Sequence, residues 1–306
     1  MRTAIAAGVA VTLMSLASVA SAGTPYPVGM KCPVGGESFT YIDTMSSSTW
    51  GRRADGKPYS SWEEPKPLAE CPGNRLVIFT RFTPEQIEQL KPILASPEYK
   101  ALLNETTYYR TRWLGTALKI PNVPDVWLLL QASWQTDRDP ARKARYQSEM
   151  VAAVDAEPVA ADHGWFVNQL RAVNAERELG RFDAATARIA RLREALSKPL
   201  PYADDKTPDA TPENHEAARK AQLATLDKQA VVIARREAGS EPLELIAPRT
   251  AARKCIALID DKQAVPEACT TADMQFAIYR ERAIKKAMET PPPEAPAPTS
   301  PSAPGP

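Results

Sequence analysis

Two cysteine–proline pairs set the strongest constraint on this chain. Cys32-Pro33-Val34-Gly35-Gly36 and Cys71-Pro72-Gly73-Asn74 look like two zinc knuckles, each without its second thiolate. A knuckle needs C-x-x-C so that both sulfurs point at one metal. Here Gly35 and Asn74 stand in the partner positions, and neither of the 2 histidines is spaced to help. Two thiolates do not complete a tetrahedral structural site, so neither a metal nor any other cofactor is expected. Thiolates of one such site lie within about 4 Å of each other, a separation that modest rearrangement turns into a disulfide. A Cys32–Cys71 bridge would close a loop of about 40 residues and contribute about 3–4 kcal/mol by the chain-entropy estimate. Cys255 and Cys269 flank Pro266 in the connection between two expected helices, where a bridge would staple the hairpin. Four cysteines allow three connectivities. The local pairing, 32 with 71 and 255 with 269, is preferred. Long-range crosslinks between the front of the chain and its C-terminal helices stand as the alternative.

Disulfides need an oxidising compartment, and residues 1–22 supply an address. Arg2 and the terminal amine precede an uncharged apolar run over 4–17, and Ala20-Ser21-Ala22 gives the small-x-small pattern of a signal-peptidase site. The run, about 14 residues, is shorter than the ~20 of a membrane span. The expected mature chain starts at Gly23, has no membrane span and is soluble and periplasmic or secreted. With 38 Lys+Arg against 37 Asp+Glu, the charge balance offers no basic footprint for nucleic acid. Half of residues 291–306 are proline and none is a large apolar side chain. This segment is expected to be an extended, disordered tail with polyproline II character, serving as a solvated end, a spacer or a ligand for a proline-binding groove.

Between these ends the text changes character once. Residues 23–82 are rich in Gly, Pro, Ser and aromatics and read as a small β module. The alternation at 38–42 predicts a half-buried strand, the run at 76–79 predicts its partner, and Asp55-Gly56-Lys57-Pro58 predicts a turn between them. From Thr83 the pattern is helical. Thr83-Pro84-Glu85-Gln86 is a capping box with Pro at the first helical position, and Pro92 is expected to kink or end that helix. Ser96-Pro97 restarts one, and residues 124–134 are apolar on most faces and predict a central buried helix. Asp139-Pro140 caps another, and two more meet at Gly180, completing a helical domain over 83–200. Residues 201–290 hold C-terminal helices starting at Thr211-Pro212 and near 248 and 271. The fold class is mainly α with a small zinc-ribbon-like β module in front.

The turn Glu178-Leu179-Gly180-Arg181-Phe182-Asp183-Ala184-Ala185 resembles that of a tetratricopeptide repeat: Gly for the tight turn, Phe182 for the groove, Ala185 for close approach. No second copy follows at a spacing of about 34 residues, so one repeat-like hairpin is expected and not an array. Taken together, Cys32-Pro33-Val34-Gly35-Gly36 with Phe39, Arg52-Arg53-Ala54-Asp55 with Pro58-Tyr59, the second Cys-Pro at 71–72 and the helix start at 79–90 resemble the bacterial domain of unknown function 2225 family. That resemblance covers about residues 30–200 and implies knuckle-type loops followed by tetratricopeptide-like helices. Half of the family's metal ligands are absent, so zinc binding is not carried over, and the family implies architecture without chemistry.

No phosphate loop, nucleophile elbow or H-E-x-x-H motif is present. His163 and His215 lie at helix starts, and a catalytic role is expected for neither. Glu63-Glu64 and Asp260-Asp261 read as solvated charge. The candidate binding residues are therefore aromatic: Trp50, Tyr59 and Trp62 in the front module, where they also serve as apolar fill, with Trp165 and Phe182 at the helical hairpin. The expectation is an exported, non-enzymatic helical module that binds a protein or envelope component. The alternative is a thiol-active or metal-responsive periplasmic protein using Cys32 and Cys71.

Overall fold

The computed structural model describes residues 23–201 and 211–289; the expected signal segment 1–22, residues 202–210 and the proline-rich end lie outside the described residues. The front is built of three short antiparallel hairpins. β1 (Pro25–Lys31) pairs with β2 (Ser38–Thr44), from Pro25 opposite Thr44 to Lys31 opposite Ser38. β3 (Thr49–Arg52) pairs with β4 (Pro58–Ser60) across the Asp55-Gly56 turn. β5 (Ala69–Glu70) pairs with β6 (Val77–Ile78). Residues 38–42 are a strand, as expected, but their partner is β1 and not the run at 76–79. Each run pairs across its own short cysteine loop, where closure costs the least entropy.

Ten helices follow among the described residues: α1 (Pro84–Ala95), α2 (Pro97–Ala101), α3 (Thr107–Ala117), α4 (Asp125–Trp134), α5 (Pro140–Ala156), α6 (His163–Glu178), α7 (Phe182–Ala195), α8 (Pro212–Ala234), α9 (Pro248–Asp260) and α10 (Ala272–Glu289). The protein is mainly helical. Local chemistry sets most boundaries. The Thr83 hydroxyl accepts from the Gln86 N–H at 3.3 Å while the Gln86 side chain accepts from the Thr83 N–H at 2.9 Å. Side chains of Ser96, Thr106, Asp139, Asp162 and Thr211 cap later helices in the same manner. Pro92 does not end α1, which continues to Ala95. Pro92 and Glu88 face water, so solvent can take the carbonyl that Pro92 leaves unbonded, and the buried Leu90 and Leu94 hold the helix down.

Successive helices pack as neighbours, with apolar clusters between them. Cys32, Cys71, Leu76, Leu90, Tyr99 and Leu114 form the front core. Leu129, Trp134, Met150 and Val154 join α4 to α5. Val173, Phe182, Ile189, Leu192 and Leu226 join α6, α7 and α8. A smaller cluster of Ala252, Cys255, Cys269 and Ile278 holds α9 to α10. At the α6–α7 turn Gly180 takes a left-handed φ of 72° and Ala185 is fully buried.

The β3–β4 hairpin ties the front to distant helices. Arg53 and Lys57 reach Asp137, after α4, at 2.9 and 2.7 Å, and Lys57 also donates to the Trp134 carbonyl at 3.0 Å. Tyr59 donates to Glu241 at 2.9 Å, and Glu241 is ion-paired with Lys254 of α9. Gly51 has φ 137°, and a Cβ there would overlap that of Ala247. No helix of the described residues is long and apolar enough to cross a membrane.

Candidate functional site

The cysteine corner has internal two-fold likeness. Cys32 and Cys71 each open the loop of a hairpin. The Cys32 N–H donates to the Glu37 carbonyl at 2.9 Å, and the Cys71 N–H to the Leu76 carbonyl at 2.9 Å. Gly36 and Arg75 return hydrogen bonds to the two cysteine carbonyls at 3.2 and 3.0 Å, and both have positive φ, 72° and 61°. The structure pairs Cys32 with Cys71 at a Cα separation of 5.7 Å, and Cys255 with Cys269 at 5.6 Å, the local connectivity.

Gly35 and Asn74, each three residues after a cysteine, are used differently. The Asn74 side chain donates to the Val34 carbonyl at 2.7 Å and accepts from the Leu76 N–H at 3.0 Å. It lies 3.8 Å from where a Gly35 Cβ would be. Asn74 thus bridges the two loops. Glu37 accepts from the Gly73 N–H at 2.9 Å and sits 3.4 Å from the Cys32 sulfur. The donor atoms of Cys32, Glu37 and Cys71 lie within 4.8 Å of one another. Cys32 is 2% exposed and Cys71 0%, so an attacking thiolate must open the corner before it can reach either sulfur.

The aromatic candidates do not assemble into one face. Trp50 is exposed on β3, Tyr59 on β4 is committed to Glu241, and Trp62 is half-buried. Phe182 is buried in the α6–α8 cluster under the Arg236 guanidinium, 4.8 Å from its ring centroid, and Trp165 packs against the same cluster. A different aromatic organises a recess. Trp127 of α4 is 38% exposed although its helix is otherwise deeply buried, and it forms a ridge between two hollows.

On one side lies a cleft of about 490 Å³ between the end of β6, α3 and the start of α4. Leu68, Phe79, Tyr108, Val123 and Leu128 make its walls. The Tyr108 hydroxyl is spent on the Lys66 carbonyl at 2.8 Å, and burial pushes its pKa up to about 12. Two buried polar groups among the walls are unspent: the Thr111 hydroxyl oxygen has no partner, and the Gln131 amide, in a residue 9% exposed, makes no hydrogen bond among the described residues. Exposed Arg81 stands at the mouth.

On the other side is a hollow of about 640 Å³ lined by Val126, Ala153, Pro158, Asn168 and Arg171. The Arg171 guanidinium stacks on Trp127, 5.0 Å from the ring centroid. It donates to the Asn168 side-chain oxygen at 2.8 Å and has no ion-pair partner among the described residues. Burial lowers its pKa, against the pull of Glu157. The Glu157 carboxylate is itself held by Asn168 at 3.0 and 3.1 Å, and Asp125 is paired with Arg112 at 3.0 Å.

Sequence reasoning passed over this recess because residues 126–130 read as uniformly core. The one available signal was that a ten-residue helix apolar on most faces must leave some of that surface outward. Comparisons with protein-family models, curated proteins and solved structures find no match for this chain. The resemblance noted above therefore rests on its own residues.

Proposed function

We propose that this protein is an exported, non-enzymatic helical module, stapled by two disulfides, that binds an extended segment of a protein or envelope component in the recess around Trp127. The observation that carries this is that the buried, unpartnered Thr111 hydroxyl and the unpartnered Gln131 amide line one apolar cleft. Folded proteins rarely leave such groups unpaired, because each costs about 1–3 kcal/mol of desolvation; a ligand that completes them recovers that free energy on binding. A concave, mostly apolar site with a few convergent polar groups is the ordinary form of a ligand pocket. Panning a random peptide library on the full chain and on Trp127→Ala tests it. Sequences enriched on the first and lost on the second are expected; equal recovery from both would remove the cleft from consideration. Export rests on the leader-like residues 1–22, and bonded cysteine pairs fit an oxidising compartment. N-terminal sequencing of the exported protein should begin at Gly23, and finding Met1 would refute it.

The three-donor cluster of Cys32, Glu37 and Cys71 favours a second role, thiol-active or metal-responsive, in the reduced protein. In the oxidised chain both sulfurs are committed to each other and Asn74 fills the gap, so the corner does not fit a resident zinc. A thiol count under denaturing, non-reducing conditions separates the two roles: no free thiol supports the binding module, and free thiols with stoichiometric zinc support the second.

A further inference from the structure

We propose that the occupant of the recess is the chain's own proline-rich segment, residues 290–306, lying across Trp127 with its prolines in the apolar cleft and Glu294 against Arg171. This rests on the assignment of that recess as a binding site and supplies its ligand.

Three complementarities support it. A proline-rich strand offers carbonyl acceptors and few N–H donors. The recess offers the reverse: the Gln131 amide, the Thr111 hydroxyl, the Trp127 indole N–H and the Arg171 guanidinium are all available donors. Proline-rich ligands seat in aromatic-lined grooves because the polyproline II strand is already extended and loses little entropy on docking; Phe79, Tyr108 and Trp127 provide that lining. Charge agrees as well. Glu294 is the one charged side chain in residues 291–306. The charged groups around the recess are Asp125, paired with Arg112, Glu157, held by Asn168, and the cations Arg81 and Arg171, neither of which has a carboxylate partner among the described residues.

Reach is ample. α10 ends at Glu289, and the following segment spans roughly 50 Å if extended at ~3.1 Å per residue. α10 packs on α9, which is joined through Glu241 to the β3–β4 hairpin. That hairpin sits on Trp134 and Asp137, at the far end of α4 from Trp127, and α4 is only about 15 Å long.

The test reads the Trp127 indole N–H by NMR in the full chain and in a chain ending at Glu289, the signal being assigned by its loss in Trp127→Phe. Truncation should move the signal, and the synthetic peptide 290–306 should return it to the full-length position. The full chain should not respond to the same peptide, because its own segment competes at an effective concentration in the millimolar range. A peptide carrying Glu294→Gln should bind the truncated chain about tenfold more weakly, the size of one charged contact; this substitution cannot disturb the folded part. An unchanged signal on truncation, with no response to millimolar peptide, would overturn the proposal. If library-selected peptides still shift Trp127, the recess stands as a binding site and only its occupant is wrong; if nothing shifts it, both fall. A full-length signal that moves on dilution would place the segment on a neighbouring copy and overturn docking within the chain.

Discussion

The two disulfides do different work. Cys32–Cys71 spans 39 residues and lies inside the front core with Leu76, Leu90, Tyr99 and Leu114. Around it Arg110, 1% exposed, donates to Glu70 at 3.0 Å and to the Arg75 carbonyl at 2.8 Å, so α3 is wired to the second cysteine loop. Cys255–Cys269 spans 14 residues and holds a cluster of few side chains, on a hairpin that leaves Phe276 63% and Tyr279 70% exposed. In the front, the crosslink reinforces a core that already exists. At the C-terminus it stands in for a core too small to hold two helices together. The consequence is that losing the first should cost global stability, whereas losing the second should free one element.

The largest effect should come from Cys32→Ser with Cys71→Ser. Chain entropy puts it at about 4 kcal/mol, and denaturant unfolding should show the whole transition moving to lower denaturant with one midpoint. Two separated transitions would show that the front folds apart from the helices. Next is Cys255→Ser with Cys269→Ser, worth about 3 kcal/mol but spent locally. Amide exchange in α9 and α10 should accelerate toward the exposed limit while α4–α6 stay protected within about 0.5 kcal/mol. A global shift would erase the contrast.

A third tether sharpens the comparison. Burial alone would raise the Asp137 pKa, but hydrogen bonds and charge from Arg53 and Lys57 overrule it and hold it at about 2. A carboxylate depressed in this way stabilises the fold fully above its unfolded value near 4 and loses that contribution as pH falls toward 2. Asp137→Asn should therefore cost about 1–2 kcal/mol at pH 7, allowing for its partial exposure, and the gap to the parent should close between about pH 4 and pH 2. A gap independent of pH would mean the loss is one of packing. The smallest effect is expected at Asp227, whose pair with Arg193 at 2.6 Å is exposed on both sides; Asp227→Ala should change stability by about 0.5 kcal/mol or less.

The disulfide corner was legible because cysteine spacing and the loop residues beside it are local text. So were the capped helix starts at Thr83, Ser96, Asp139 and Thr211 and the turn at Gly180. α3 was not read as a helix, since its inward positions include Arg110, Thr111 and Gly115, which break the apolar stripe that marks a helix. Arg177 and Arg188 were hidden for the same reason. Arg177 is fully buried and donates to the Glu237 and Gly239 carbonyls, both at 2.7 Å, and Arg188 is enclosed by Glu176, Asp155 and Gln169.

By itself the sequence determined the helical class, most helix boundaries and the short β front, and it favoured the local cysteine pairing. Those outcomes depend on caps, periodicity and turn or loop residues, whose signals are written in short stretches of the chain. Tertiary structure decided which strand took which partner, which arginines went inside, and that Trp127 stands between two hollows. These depend on groups far apart in the chain, such as Arg53 and Asp137, 84 residues apart, and Tyr59 and Glu241, 182 apart. No local preference encodes such meetings; only the packed core, by bringing distant surfaces into one place, selects them.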